Sequence, residues 1–272
     1  SMGTAILDGL IASGMDAANI SVSTKTADSA AKLENRHSVA AHSVEEAAQS
    51  GDDANTLAAQ SADLIIVAVK PAYVIETLKQ LTAPALKSDA LIISVAAGIT
   101  TDAMQAALPQ GNPVIRAMPN TPSMIQAGAT GLFTQSDLTT EQRSLVDQIF
   151  QAIGYSCWVD SEELIDAVIA VSGSGPAYFF LVLEAMQKIA QELGLPKQTA
   201  QELSLHTALG ASRMAMESGI SAAELRDQVT SPGGTTQAAI KSFQQHGLED
   251  IFRTAMTSAV ARAQEMSKDF SS

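Results

Sequence analysis

Short, unbroken apolar runs alternate with helical periodicity over the first 160 residues, and then the alternation stops. Residues 20–23 are short and β-branched. Residues 63–69 form a continuous apolar run halted by Lys70 and Pro71. Residues 90–95 repeat it and stop at Ala96, Ala97 and Gly98, and Val114–Met118 stops at Pro119. Gly128–Phe133 and residues 155–159 are weaker runs of the same kind. Between them lie helical spacings such as Val74, Ile75, Leu78 and Leu81. Continuous apolar strands separated by helices predict a mostly parallel sheet covered on both faces.

Thr139-x-x-Gln142 reads as a capping box ahead of a helix carrying Leu145, Val146, Ile149, Phe150 and Ile153, with Gly154 as its stop. Beyond residue 160 only helical patterns remain, over 161–193, 197–217, 221–229, 234–246 and 248–269. Ser221-x-x-Glu224 supplies a second capping box. The expected architecture is therefore an α/β domain over residues 1–160 followed by an all-helical domain over 161–272. Leu205, Ala208, Leu209, Ala211, Met214 and Ala215 cover a wide arc of one helix. An arc this wide is either intrachain core or a dimer interface.

Composition narrows the function classes. The chain has 272 residues, 46% of them hydrophobic, which is enough for a large core and two domains. The formal net charge of −13 argues against a nucleic-acid surface, which needs clustered Lys and Arg. No run approaches the roughly 20 apolar residues of a membrane span, and no charged-then-apolar leader opens the sequence. One cysteine, Cys157, excludes an intrachain disulfide framework and fits a reducing compartment, so a cytoplasmic location is expected. Four scattered His and the single Cys give no metal-ligand spacing.

Candidate chemistry gathers in a few turns. Open parallel sheets bind ligands at the carboxyl ends of their strands. Ser23, Thr24 and Lys25 end one strand; two hydroxyls and a cation suit a ribose phosphate, and the plain alternative is a polar turn. Val69, Lys70, Pro71, Ala96, Ala97 and Gly98 end two more with small residues and a fixed turn. A dinucleotide-binding unit is expected to begin with a strand and a G-x-G-x-x-G loop. Here the sequence opens on a helical pattern with Gly3 in the place of the last glycine, so that strand, expected to lie centrally, and most of the loop are not in the sequence as it stands. Val171-Ser172-Gly173-Ser174-Gly175-Pro176 precedes a helix start; it is either a helix junction or a ligand-lining kink with room for a flat ring. Arg116 is either a substrate anchor or a structural ion-pair partner. Ser231-Pro232-Gly233-Gly234-Thr235-Thr236 puts three hydroxyls and two glycines at a helix start, which is either an ordinary helix-helix turn or a carboxylate site.

These motifs occur in one order: Val69-Lys70-Pro71, Ala96-Ala97-Gly98, Arg116-x-Met118-Pro119-Asn120-Thr121-Pro122, residues 172–178 and residues 225–236. Together they resemble pyrroline-5-carboxylate reductase over nearly the whole chain, and residues 229–236 are the most specific part. The resemblance implies a Rossmann-like NAD(P)-binding domain followed by an all-helical dimerisation and substrate domain. It implies reduction of 1-pyrroline-5-carboxylate to L-proline with NADPH or NADH, the last step of proline biosynthesis, and a homodimer that assembles into rings such as a decamer. By the same resemblance, Gly3, Ser23, Thr24, Lys25, Asn55, Val69, Lys70, Pro71, Ala96, Ala97, Ser174, Gly175 and Pro176 would bind the cofactor. Ser231, Gly233, Gly234, Thr235 and Thr236 would hold the substrate, with Thr236 catalytic. Lys25 beside Ser23 and Thr24 favours NADPH. The acidic stretch from His42 to Ala54 is longer than the family's by about ten residues and reads as a surface insertion. A reductase of another cyclic imine is a second reading, and a non-catalytic dimeric protein of the same fold is a third. No metal, nucleic acid or membrane partner is expected.

Overall fold

A computed structural model describes residues 1–81 and 86–271. Its strands are β1 (Ser21–Thr24), β2 (Ala40–Ser43), β3 (Leu64–Val67), β4 (Leu91–Ser94), β5 (Val114–Met118), β6 (Gly128–Phe133) and β7 (Gly154–Trp158). β1 and β2 pair in parallel as one sheet. The second sheet runs β3-β4-β5-β6-β7, parallel except for the antiparallel β5–β6 pair. β1 and β3 each keep one edge without a strand partner among the described residues.

The helices of this α/β part are α1 (Met2–Ala12), α2 (Ala27–His37), α3 (Val44–Ser50), α4 (Ala54–Ala59), α5 (Pro71–Gln80), α6 (Thr101–Ala107) and α7 (Thr140–Gln151). β4 shows why its strands read as unbroken apolar runs. Ile92 packs with Val74, Leu78, Ile99 and Met104. Leu91 and Ile93, which point the other way, pack with Ile6, Ile115, Leu132 and Phe150. Both faces are covered, so no alternation with polar residues survives. The Thr139–Gln142 capping box of α7 forms as expected, while the helix is capped by Ala152 rather than stopped at Gly154, which begins β7.

Two local features lie outside what the sequence pattern predicted. β2 is a strand that the sequence pattern missed, because Ala40-Ala41-His42-Ser43 has neither a β-branched run nor an apolar one; its pairing with β1 makes it extended. The acidic stretch read as a surface insertion has helical structure of its own. It carries α3, capped by Ser43 at its start and by Gly51 in the left-handed region at its end.

From Leu164 onward the regular structure of the described residues is helical: α8 (Leu164–Val168), a π-helical turn over Ile169–Gly173, α9 (Gly175–Glu192), α10 (Lys197–Glu217), α11 (Ala222–Gln228), α12 (Thr235–Gln245) and α13 (Leu248–Ser271). By packing, the chain divides into a unit of Ser1–Ser174 with Ala259–Ser272 and a unit of Gly175–Ser258. The helical run Leu164–Glu192, 29 residues, is long and apolar enough to cross a membrane by length and composition. This corrects the expectation that no segment approaches such a length. Within the second unit, the α10 arc is not intrachain core: Leu205, Leu209 and Met214 are 44%, 57% and 54% exposed in the single chain. Met186, Ile189, Leu193 and Leu203 of α9, α10 and their connection line an apolar groove with Phe243 of α12.

Candidate functional site

In the first unit, the cofactor candidates lie at strand ends and helix starts. Gly3 sits in the first turn of α1, where a Cβ would come 3.0 Å from Ala68 Cβ, just beyond β3. The missing side chain lets the start of α1 approach the carboxyl end of β3, and Ser1 Oγ accepts the Thr4 N–H of that first turn at 3.3 Å. Val69, Lys70 and Pro71 follow β3. Lys70 is the N-cap of α5 and Pro71 its first residue, where the absent N–H costs nothing. Ala96 and Ala97 follow β4, and Ser94 Oγ accepts the Ala96 N–H at 3.3 Å.

Ser23, near the end of β1, lies beside Asn55 of α4: Ser23 Oγ donates to Asn55 Oδ1 at 2.6 Å, and Asn55 Nδ2 donates to Gln80 Oε1 at 2.7 Å. Residues separated by 32 positions thus form one polar cluster. The Asp53 N-cap places Asn55 in the first turn of α4, and α4 packs on β1 and β2. Thr24 Oγ1 donates to the Thr26 carbonyl, and Lys25 is exposed. Glu45 of α3 accepts the Ala27 N–H at 3.0 Å, so the acidic insertion caps the start of α2.

Arg116 resolves to the structural alternative. It is 3% exposed, with Nη1 3.2 Å from Glu162 Oε1 and Nη2 3.9 Å from Asp166 Oδ1. Glu162 also accepts the Thr101 N–H and hydroxyl, both at 2.9 Å. Burial pushes the Asp166 carboxyl above the ordinary aspartate range, against the pull of the Arg116 guanidinium and of a hydrogen bond with Gln264.

Ser174 closes the π-helical turn, its N–H bonded to the Ile169 carbonyl at 2.8 Å. Sequence reasoning named Ser174, Gly175 and Pro176 but missed what holds this turn. Asn120, 8% exposed, donates from Nδ2 to the Ser172 carbonyl at 3.0 Å and accepts the Ala129 N–H at 2.9 Å. The available signal was Pro176, which brings no N–H to a helical run. In the second unit Gly175 begins α9, and a Cβ there would meet open space.

The second unit also holds the substrate candidates. Ser231–Gly234 is a turn closed by Gly234 N–H to Ser231 carbonyl at 3.0 Å, with Gly233 at φ +75°. That left-handed residue after Pro232 is the arrangement of a type II turn, which favours glycine. Gly234 is the N-cap of α12, and no side chain caps the helix; Gln237 Oε1 instead accepts the Gly233 N–H at 2.8 Å. α11, by contrast, begins with a complete Ser221–Glu224 capping box. The first N–H groups of α12 are therefore open, with the exposed Thr235 and half-buried Thr236 hydroxyls beside them. Open helix-start donors with neighbouring hydroxyls suit a small carboxylate.

Comparison with known proteins agrees with both halves. Residues 162–266 match the family described as pyrroline-5-carboxylate reductase dimerisation, and residues 1–98 that described as NADP oxidoreductase coenzyme F420-dependent. The pyrroline-5-carboxylate reductase of Pseudomonas aeruginosa is 42% identical over 98% of this chain and 94% of its own length. That of Escherichia coli is 37% identical over 98% and 95%. The solved pyrroline-5-carboxylate reductase of Coxiella burnetii, at 40% identity, superposes with a TM-score of 0.90 over 98% of this chain and 95% of that one. The Plasmodium falciparum enzyme, solved with NADP bound, shares the fold at 24% identity and a TM-score of 0.80, covering 98% and 94%. With relatives this similar along almost its entire length, the chain belongs to the pyrroline-5-carboxylate reductase family.

Proposed function

We propose that the protein reduces 1-pyrroline-5-carboxylate to L-proline by hydride transfer from NADPH or NADH, as the last step of proline biosynthesis in the cytoplasm. The observation that carries this reading is the start of α12, where a glycine turn and an uncapped helix leave N–H donors and the Thr235 and Thr236 hydroxyls open together. Residues 1–160 act as the cofactor domain and 161–272 as the dimerisation and substrate domain.

The residues present fit a nicotinamide dinucleotide. The Ser23–Asn55 pair supplies hydrogen-bonding groups for a ribose, with Lys25 and Thr24 beside it for a 2′-phosphate. The start of α1, brought close to β3 by Gly3, offers N–H groups of the kind that hold a pyrophosphate. Val69, Lys70, Pro71, Ala96 and Ala97 present backbone to the cofactor, and Ser174, Gly175 and Pro176 wall the nicotinamide. When bound, the cofactor supplies the hydride.

The substrate end needs neither a metal nor a covalent nucleophile, because a protonated cyclic imine is already electrophilic. The neutral imine nitrogen takes up one proton, and the imine carbon so activated takes the hydride. The Gly234 and Thr235 N–H groups hold the carboxylate, with Ser231 and Gly233 shaping the turn. The Thr236 hydroxyl hydrogen-bonds the ring nitrogen. A threonine hydroxyl is a poor acid, so it relays a proton from water. The main contribution is orientation of the imine carbon.

The exposed α10 arc and the dimerisation-family match support a homodimer through the helical part, and assembly of dimers into a decamer is part of this proposal. A dimer face also accounts for the apolar character of residues 164–192 without a membrane. The test is Thr236→Ala. Turnover of the imine should fall at least about tenfold, the scale of one well-placed hydrogen bond, while NADPH affinity stays within about twofold. Unchanged turnover would remove Thr236 from the mechanism.

A further inference from the structure

We infer that Asn120 is a positioning residue for the nicotinamide wall, acting through the Ser172 carbonyl; this rests on the cofactor reading above. Residues 164–192 run as α8, a π-helical turn and α9. In an unbroken helix the N–H of residue 176 would bond to the carbonyl of residue 172. Residue 176 is proline and has no N–H. Asn120 Nδ2 takes that place at 3.0 Å, from the loop after β5. The other side of the same amide accepts the Ala129 N–H near the start of β6, so the side chain is fixed at both ends and is 8% exposed.

The turn is seated from two further sides. A Cβ on Gly131 of β6 would come 2.7 Å from Val168, so α8 lies directly on that strand. A Cβ on Gly173 would come 3.1 Å from Met118 Cε, at the end of β5. These contacts leave the π-helical turn little freedom, and Asn120 holds its Ser172 carbonyl. A π-helical turn carries one residue more than the α-helix around it. Reverting to α-helix would rotate the succeeding residues by about 100°. Ser174, the last residue of the first unit before α9, is two positions from the Ser172 carbonyl, so its placement depends on this bond.

The test is a double-mutant cycle of Asn120→Ala and Pro176→Ala, reading the binding of NADPH and of 2′,5′-ADP, which lacks the nicotinamide. Asn120→Ala should weaken NADPH about tenfold, the cost of leaving one half-buried carbonyl without this donor. Its effect on 2′,5′-ADP should stay within about twofold. The Pro176→Ala substitution restores a backbone N–H for the Ser172 carbonyl. In that background the Asn120→Ala effect on NADPH should therefore shrink to about threefold or less. The stability of the variants to urea should show the same coupling. If Asn120→Ala alone does not fold, the double variant must fold better than it. Equal weakening of both ligands, or the same effect in both backgrounds, would overturn the inference while leaving the cofactor reading intact. Failure of the wild-type protein to bind NADPH would overturn the cofactor reading, and this inference with it.

Discussion

Replacing Arg116 by methionine keeps most of the side-chain volume and removes the charge that two carboxylates share. Arg116 is 3% exposed; the side chains of Glu162 and Asp166 are 16% and 12% exposed. Breaking a buried pair by removing one partner costs about 3–5 kcal/mol, because the remaining charges stay buried without compensation. Glu162 retains its bonds to the Thr101 N–H and hydroxyl, which places the expected loss at the lower end, about 3 kcal/mol. In a chain of this length that corresponds to a fall in Tm of about 6–12 °C. The assay is thermal unfolding at one fixed protein concentration, since a dimer's Tm depends on concentration. It is run at neutral and at mildly acidic pH. Without the guanidinium, the Asp166 carboxyl loses the charge that offsets its burial and is raised further above its unfolded value. The associated stability is then present at low pH and lost as pH rises through the folded pKa, so the penalty should be smaller in acid. Adding Glu162→Gln should recover part of it. A loss below about 1 kcal/mol, or one equal at both pH values, would refute the ion-pair account. A rise in KM for the imine with no loss of stability would return Arg116 to the role of substrate anchor.

Other outcomes rest on the same structure. In wild-type protein the raised Asp166 carboxyl favours the protonated folded state, so stability attributable to it falls as pH rises through the window above the usual carboxylate value. Asp166→Asn should therefore compare better with wild type at pH values above that window than below it, and the opposite order in urea unfolding would contradict the burial argument. Gly154 has φ +141°, and a Cβ there would lie 2.1 Å from the Gly128 carbonyl; Gly154→Ala should cost at least about 2 kcal/mol in denaturant unfolding, and a neutral result would show that the β6–β7 pairing can shift. Leu209 is 57% exposed on the proposed dimer face; Leu209→Glu should shift sedimentation toward monomer, and an unchanged dimer would move the interface elsewhere.

Sequence legibility followed physical cause. β3, β4 and β5 were legible because strands covered on both faces are mostly apolar, and residues 221–236 because caps and glycine turns are local chemistry. β2 was not legible: Ala40–Ser43 is extended by its neighbour β1 rather than by its own side chains. The Ser23–Asn55 cluster joins residues that only tertiary packing brings together, although the sequence named each of them. Asn120 lay inside a recognised motif, yet its role depends on a carbonyl 52 positions away that a proline deprives of its donor. The wide apolar arc on α10 was ambiguous between core and interface because both demand the same side chains; exposure in the single chain separates them.

The central claim is that hydride passes from the nicotinamide to the carbon of a cyclic imine. It is tested most directly by incubating the purified protein with 1-pyrroline-5-carboxylate and NADPH deuterated at the transferring position of nicotinamide C4. The account predicts proline in step with cofactor oxidation, carrying deuterium on the ring carbon bonded to nitrogen and distant from the carboxylate. Unlabelled proline, or no oxidation of either NADPH or NADH, would contradict it.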